Sequence, residues 1–434
     1  MKNKLICACL CVFILLTAFV HIGYAAPDTI SGAVILIDAD TGRVLYEKSA
    51  DTKMFPASTT KVMSAILFIE NLNPADVVTA SYNAVMDIPL GASNMGITQG
   101  EQLTVEQLLH GVLVYSANEA CNVLAEHMCG SVDAFVEQMN AKAKELGMDS
   151  THFVNPHGLH DENHYTTARD MAKLTFYAMK NETFRKIVNT LTYYIEPTNK
   201  YPEQRILSNT NYLINGASRY AYSAATGVKT GYTSAASNCL VSSATKGDEN
   251  LIAVTLGAKQ QVDGIYSFID SKAILEYGFE NFSKKTLSTK DEILAEVDVK
   301  HGRGADYITA MSKEDLAILL PKDATVAEIT HEITTQEGMV APITKGTVVG
   351  KASYYYKDEL IGSVDLVAGT DIKTDYLSLI FSKILAFFLH PLVLIPIILI
   401  VGGFFLLVIL AQIKARKRRR YLKRKRYRSA NRKR

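Results

Sequence analysis

Apolar and polar positions along the chain fall into successive textures. Val34 to Ile37 and Arg43 to Tyr46 are short apolar runs joined by Asp38-Ala-Asp-Thr-Gly42, a string of turn residues, and together they predict an opening β-hairpin. Ser58 to Glu70 carries Val62, Met63, Ile66, Leu67 and Ile69 behind Pro56, the pattern of a helix buried on most sides. Val105 to Cys129 and Val132 to Leu146 repeat Leu, Val, Ala and Met at helical intervals, punctuated by Gly111, Gly130 and Gly147. From Gly227 the pattern changes to strands at Val228 to Tyr232, Asn238 to Ser243 and Leu251 to Leu256. Lys246-Gly-Asp-Glu249 forms a turn between the last two, and Ile265 to Tyr277 reads as a closing helix. Strands, then helices, then strands again describe an α+β domain whose sheet joins segments distant in sequence.

Beyond Phe282 the pattern becomes short and β-rich: Ile293 to Val299, Tyr307 to Ala310, Val326 to Thr334, and the pair Lys351 to Tyr356 and Leu360 to Val367 around Lys357-Asp-Glu359. A second, smaller β domain is expected over 286–371. Tyr376 to Phe388 has the spacing of a helix lying in a membrane interface. Leu392 to Ile413 is almost wholly apolar, and 22 helical residues rise about 33 Å, enough to cross a bilayer core. The N-terminus reads as an export signal over 1–26: Lys2 and Lys4, an apolar stretch from Leu5 to Val20, then small residues at Gly23, Ala25 and Ala26.

The formal net charge of +2 conceals a strong asymmetry, because 14 of the 46 Lys and Arg lie in Lys414 to Arg434, where there is no Asp or Glu. Setting these and Lys2 and Lys4 aside leaves 30 basic residues against 44 acidic ones, so the body of the chain is near −14 and is not built to bind nucleic acid. A basic segment directly after an apolar span stays on the cytoplasmic side, which predicts that 27–371 lies outside the membrane, anchored by 376–413, with 414–434 inside. Cys7, Cys9 and Cys11 would leave with the signal; Cys121, Cys129 and Cys239 remain, an odd number that does not suit a disulfide scaffold. On one helix, Cys121 and Cys129 would stand about 12 Å apart, too far for a bond.

Three short elements bear chemistry. Ser58-Thr-Thr-Lys61 puts a hydroxyl and an amine three residues apart on one helical face. Serine becomes a nucleophile when a base takes its proton, and a lysine can be that base if burial or a neighbouring cation lowers its pKa. The same spacing recurs at Ser243 to Lys246, where a strand runs into a turn and nothing would keep the pair dry. Ser116-Ala-Asn118 places a hydroxyl and a carboxamide in an apolar stretch; they could pass a proton to a leaving amine and hold a substrate amide, or simply mark a helix break. Lys229-Thr-Gly231 occurs once, at the start of a strand. Its amine and hydroxyl could grip a carboxylate, Gly231 would let substrate approach the backbone, and the strand edge could pair with an extended peptide.

Taken together and in this order, these elements resemble those of the penicillin-binding proteins and serine β-lactamases, and within them the low-molecular-mass D-alanyl-D-alanine carboxypeptidases. The likeness extends to Phe55-Pro-Ala-Ser-Thr-Thr-Lys61, Thr151-His-Phe-Val-Asn-Pro-His-Gly-Leu159, His164-Tyr-Thr-Thr-Ala168, Asn209-Thr-Asn211, Glu276-Tyr-Gly-Phe279 and, in the β domain, Ala341-Pro-Ile-Thr-Lys-Gly346. It implies a DD-peptidase-like domain over 27–282, an antiparallel sheet with a helical lobe, followed by the β-rich domain and a C-terminal transmembrane helix. It also implies an acyl-enzyme route on peptidoglycan stem peptides, open to β-lactams as covalent inhibitors and needing no cofactor. Ser58 attacks, Lys61 is the base, and Ser116 with Asn118 serves the leaving group. Lys229, Thr230 and Gly231 bind the substrate, and the backbone N–H groups of Ser58 and Tyr232 form the oxyanion hole. The chain departs from the family's common pattern in having Ala117 where Gly is usual and in adding an apparent full membrane span.

Other readings lead elsewhere. His152, His157, His160 and His164 invite a zinc site, but Pro156 and Gly158 break any helix that would align them, and the stretch matches a metal-free part of the family. The Glu-x-x-Leu-Asn signature of a β-lactamase is not present. A transpeptidase would pass the same acyl group to an amine, and a non-catalytic wall sensor would keep the fold without turnover. Oligomeric state is not legible.

Overall fold

A computed structural model describes residues 26–430, and the chain divides into two compact units: 26–287 with 317–330 and 355–362, and 288–316 with 331–354 and 363 onward. The export signal read over 1–26 lies, except for Ala26, outside the described residues, as do 431–434.

The first unit is organised on a five-stranded antiparallel sheet. In chain order its strands are β1 (Ala33–Asp38), β2 (Val44–Lys48), β3 (Ala225–Thr233), β4 (Ser237–Lys246) and β5 (Glu249–Ala258), and their order across the sheet is β2-β1-β5-β4-β3. Every residue of β1 is buried. Ala33, Ile35 and Ile37 face a helical lobe with Val62, Ile66 and Phe68, while Val34 and Leu36 face Phe268, Ile274 and Leu275 of the closing helix Tyr266–Asn281. Alternation therefore serves two cores at once, which is why β1 reads as a continuous apolar run. The opening hairpin is present, with Leu36 opposite Tyr46. The far edge of the sheet is β3, which holds Lys229, Thr230 and Gly231.

The helical lobe departs from the simple periodic reading at two places, both bearing motif residues. The first helix opens with a tight turn, Ala57–Thr60, and becomes α-helical at Lys61–Asn71, buried from Lys61 through Phe68. The apolar stretch expected to run from Val105 to Cys129 is three pieces. Val105–His110 is α-helical behind a Thr104–Gln107 capping box, Gly111–Tyr115 is a widened turn, and the helix resumes at Asn118–Cys129 after Ser116, whose φ is +70°. Interruptions of this kind are what bring a side chain out of a buried helix toward a cleft.

In the second unit most strands belong to one sheet, ordered Ile329–Thr335, Val348–Tyr356, Glu359–Ala368, Tyr307–Ser312, Ile293–Lys300 and Met339–Val340, the last pairing parallel. The stretch expected as a strand from Val326 begins as a short turn, Val326–Glu328. Asp375 caps a helix at Tyr376–Leu389 that buries no residue, and Pro391 starts a second helix running to Ala430 with Pro396 inside it. Its apolar part has a mean hydropathy of 3.2, is covered by nothing in the protein, and is long enough to cross a bilayer.

A buried ion pair joins the strand Arg205–Ser208, which pairs with Thr192–Ile195 in a separate two-stranded sheet, to the loop at Glu101. Arg205 donates to both oxygens of Glu101 at 2.6 and 2.9 Å and to the carbonyl of Gly96, at the end of the loop preceding the helical motif. Burial pushes the Glu101 carboxyl up, and the bonds from Arg205 and Thr198 more than reverse this, leaving it below its ordinary value. Removing one partner leaves a buried charge unpaired. Arg205→Met is expected to lower unfolding free energy by about 3–5 kcal/mol in urea titrations monitored by circular dichroism; a loss under about 1 kcal/mol would show the pair to be dispensable.

Candidate active site

Ser58 sits in the tight turn before the first lobe helix, and Lys61 begins that helix with its side chain fully buried. The Lys61 Nζ lies 3.0 Å from Ser58 Oγ, 2.6 Å from Asn118 Oδ1 and 2.8 Å from the carbonyl oxygen of His157. Three acceptors match the three protons of an ammonium; when Lys61 is neutral, one of these contacts reverses and the Ser58 hydroxyl donates to the amine. Burial pulls the Lys61 pKa down from 10.5 to about 8, partly opposed by Cys121 and Glu119. Lys229 is buried too, hydrogen-bonds the Thr230 carbonyl at 3.0 Å, and is held well below its ordinary pKa by burial and then by the Lys61 charge.

The remaining sequence-identified residues meet at one cleft of about 670 Å³, lined among others by Ser58, Ser116, Asn118, Thr230, Gly231 and Tyr232. Thr230 Oγ1 is 2.6 Å from Thr210 Oγ1, so the two hydroxyls point to one place. Ser116 Oγ has no hydrogen-bond partner among the described residues, which leaves it free to serve a ligand. Gly231 has a role the sequence did not indicate. A Cβ there would come within 2.9 Å of the Ser58 backbone N and 3.0 Å of the Pro56 carbonyl, so its missing side chain admits the Ser58 turn against β3 as well as leaving the backbone open.

Several contributors were invisible as chemistry in the sequence. Gly158, at φ +86°, packs so tightly under the turn that a Cβ would stand 1.8 Å from the Ala57 carbonyl oxygen. His164 receives a hydrogen bond from the Val154 N–H at Nδ1 and contacts Thr60 Oγ1 through Nε2 at 2.9 Å, and Thr60 donates to the Ala57 carbonyl. Burial pushes His164 down to about 4, so it is neutral at physiological pH. The His-rich segment thus acts as a backing wall: His157 offers a carbonyl to Lys61, and His164 braces the turn. Glu119, next to Asn118, accepts from the Met95 N–H at 2.6 Å, and Ser93 O accepts from the Asn118 N–H, which fixes the cleft-lining loop around Leu90 to Ser93. Burial pushes the Glu119 carboxyl up.

Comparison with known proteins places most of the chain among related sequences and structures. Residues 21–260 match the D-alanyl-D-alanine carboxypeptidase peptidase family, and 282–374 match the penicillin-binding protein 5 C-terminal domain. The chain is 34% identical over 347 residues to the D-alanyl-D-alanine carboxypeptidase DacF of Bacillus subtilis, covering 79% of this chain and 85% of that one. Among solved structures it is similar to penicillin-binding protein 5 of Haemophilus influenzae, with 29% identity, a TM-score of 0.67, and coverage of 80% of this chain and 99% of that one. It is also similar to the peptidoglycan synthesis regulatory factor PBP3 of Streptococcus pneumoniae, with 25% identity, a TM-score of 0.71, and coverage of 80% and 100%.

Two results follow from the geometry. With Lys61 titrating near 8, modification of Ser58 by an acylating reagent should speed up about tenfold per pH unit below that value and level off above it, as only the neutral amine can take the hydroxyl proton; a flat profile from pH 6 to 9 would contradict this. Gly158→Ala should lower that modification rate by more than tenfold, because the turn must move, whereas Gly147→Ala, at φ +67° in open space, should change stability by about 1 kcal/mol and leave the rate unaltered.

Proposed function

The chain belongs to the D-alanyl-D-alanine carboxypeptidase family of serine peptidases, which act on peptidoglycan peptides and bind β-lactams, and from that premise we propose how its residues carry the reaction. It is a serine D-alanyl-D-alanine carboxypeptidase that removes the terminal D-alanine of stem peptides. Neutral Lys61 takes the Ser58 proton as Oγ bonds to the carbonyl carbon between the two D-alanines. The backbone N–H groups of Ser58 and Tyr232 receive the negative charge on the carbonyl oxygen. The C–N bond then breaks, and the proton held on Lys61 passes through the hydroxyl of Ser116, held beside Asn118, to the departing amine, which leaves Ser116 a hydroxyl and Lys61 neutral again. Asn118 also accepts from Lys61, so one residue can align the base and hold the substrate amide. Water next attacks the Ser58 ester; its hydroxyl joins the acyl carbon and its proton returns to Ser58 through Lys61. No step calls for a cofactor.

The observation that carries this reading is a buried lysine amine 3.0 Å from a serine hydroxyl at the floor of an open cleft. Lys229 and Thr230 supply the carboxylate grip that makes the enzyme an exopeptidase. An arriving carboxylate raises the pKa of Lys229, so the ammonium forms when substrate binds. A β-lactam enters the same route and stops at the acyl-enzyme stage.

We read 1–26 as the export signal, 27–282 as the catalytic domain, 286–371 as the β-rich domain, 376–413 as the anchor and 414–434 as a cytoplasmic tail. The long apolar helix is consistent with a membrane anchor, and the basic residues after it orient the catalytic domain to the outer side. Placed there, the cleft faces the cell wall.

Ser58→Ala should abolish both D-alanine release and covalent labelling by a fluorescent penicillin; retention of either would remove Ser58 from its role. Lys229→Ala should lower kcat/KM for a D-Ala-D-Ala peptide about a hundredfold, from loss of a charge-assisted contact, and should lower it much less for a peptide whose terminal carboxylate is amidated.

A further inference from the structure

The helix that begins at Pro391 does not stop where its apolar part does; it runs on through Lys414 to Ala430 without a break. Nine of the twelve residues from Lys414 to Lys425 are Lys or Arg, and all twelve are exposed. The last acidic residue of the chain is Asp375, before the preceding helix starts, so nothing along the helix offsets this charge. At about 100° per residue the nine cations are distributed to all sides, and the widest sector without one, about 100°, holds Ala415 and Leu422. A helix lying in a membrane interface needs a broad apolar face. This segment has none, so it continues along the axis of the span instead of lying down on the bilayer.

Length decides what such a segment meets. With Ile413 as the last residue of the span, Lys414 and the run Arg416 to Arg420 stand within about 10 Å of it along the axis, and Lys423 to Lys425 stand about 15–18 Å away. The headgroup layer on each side of a bilayer is about 5–8 Å deep. Helical side chains lean toward the N-terminus, which here is back toward the bilayer. The first group therefore lies at the level of the lipid phosphates, while the second stands about one Debye length, roughly 8 Å, beyond them. A nucleic acid would engage one side of this helix, whereas lipid headgroups surround it, as the cations do. Resting on the reading of 376–413 as the anchor, we propose that Lys414 and Arg416 to Arg420 form a collar that gathers anionic phospholipids around the end of the span. The guanidinium groups grip phosphate oxygens in pairs, and the lysines add point charge. The collar fixes the depth of the span and draws the enzyme to membrane rich in acidic lipid; Lys423 to Lys425 contribute little to this contact.

The test uses the full chain in phosphatidylcholine bilayers, with electron spin resonance of spin-labelled lipids measuring how strongly each associates with the span. Labelled phosphatidylglycerol should associate about three- to fivefold more strongly than labelled phosphatidylcholine at low salt, and the ratio should fall toward one at about 1 M NaCl. Arg416→Gln, Lys417→Gln and Arg418→Gln together should remove at least about half of the excess. Lys423→Gln, Arg424→Gln and Lys425→Gln together, an equal change of charge, should leave the ratio within about a quarter of its original value. A ratio near one in the unaltered chain overturns the collar, as does a loss from the second triple variant that equals or exceeds the loss from the first. A ratio abolished by a short RNA oligonucleotide added at the concentration of the protein also overturns it and marks the segment as a nucleic-acid arm. Washing the bilayers with alkaline carbonate separates the two readings: a chain that washes off sinks the anchor itself, while a chain that stays with a ratio near one sinks the collar alone.

Discussion

A lysine amine removed from water constrains everything around it. Lys61 is wholly buried and must find acceptors for its protons within the protein, and it finds them on three segments far apart in sequence: Ser58, Asn118 and the main chain at His157. Each contact requires the next piece of architecture. Asn118 can reach inward because the helix before it breaks at Ser116, and the His157 carbonyl can reach because Gly158 lets its stretch of chain lie directly against the Ser58 turn. Gly231 gives the same freedom on the opposite side, so the turn is gripped between a loop and the edge of a sheet. The desolvation that makes the amine costly to charge is also what makes it a base near neutral pH.

Much of this was legible in the residue pattern, and the exceptions have a common origin. β1 and the helix at Lys61–Asn71 announced themselves by apolar runs, and the α+β class followed from their order. Ser58, Lys61, Ser116, Asn118, Lys229 and Thr230 were found as motifs because hydroxyl, amine and carboxamide side chains at fixed spacings are visible in the residue string. His157 was noticed for its imidazole, yet the structure uses its carbonyl oxygen, and every residue has one of those. Gly158 and Gly231 act through what they lack, which shows only when the opposing backbone is in place. Glu119 carries no motif of its own, and its burial depends on a loop more than twenty residues earlier closing over it. Strands Phe282–Ser288 and Leu316–Pro321, which pair with each other, escaped notice because the first alternates weakly and the second is a short apolar run without turn residues of its own.

Two apolar helices carry opposite meanings. Lys61–Asn71 is apolar because protein surrounds it, and there burial lowers the pKa of the one amine it carries. The helix from Pro391 is apolar with no protein covering it, so its solvent must be supplied from outside, and its charges are confined to the end that follows the span. Length and apolar content already separate the two in the sequence, and the structure adds that the chain folds back over the first and not over the second.

The central claim concerns the protonation of one amine, and nuclear magnetic resonance of that amine tests it most directly. Lysine labelled with 13C at Cε and 15N at Nζ, with the Lys61 signal assigned by its loss in Lys61→Arg, should titrate with a midpoint near pH 8. A midpoint at about 10 or above, the range of an ordinary solvated lysine, would contradict the activation of Ser58 by a neutral Lys61.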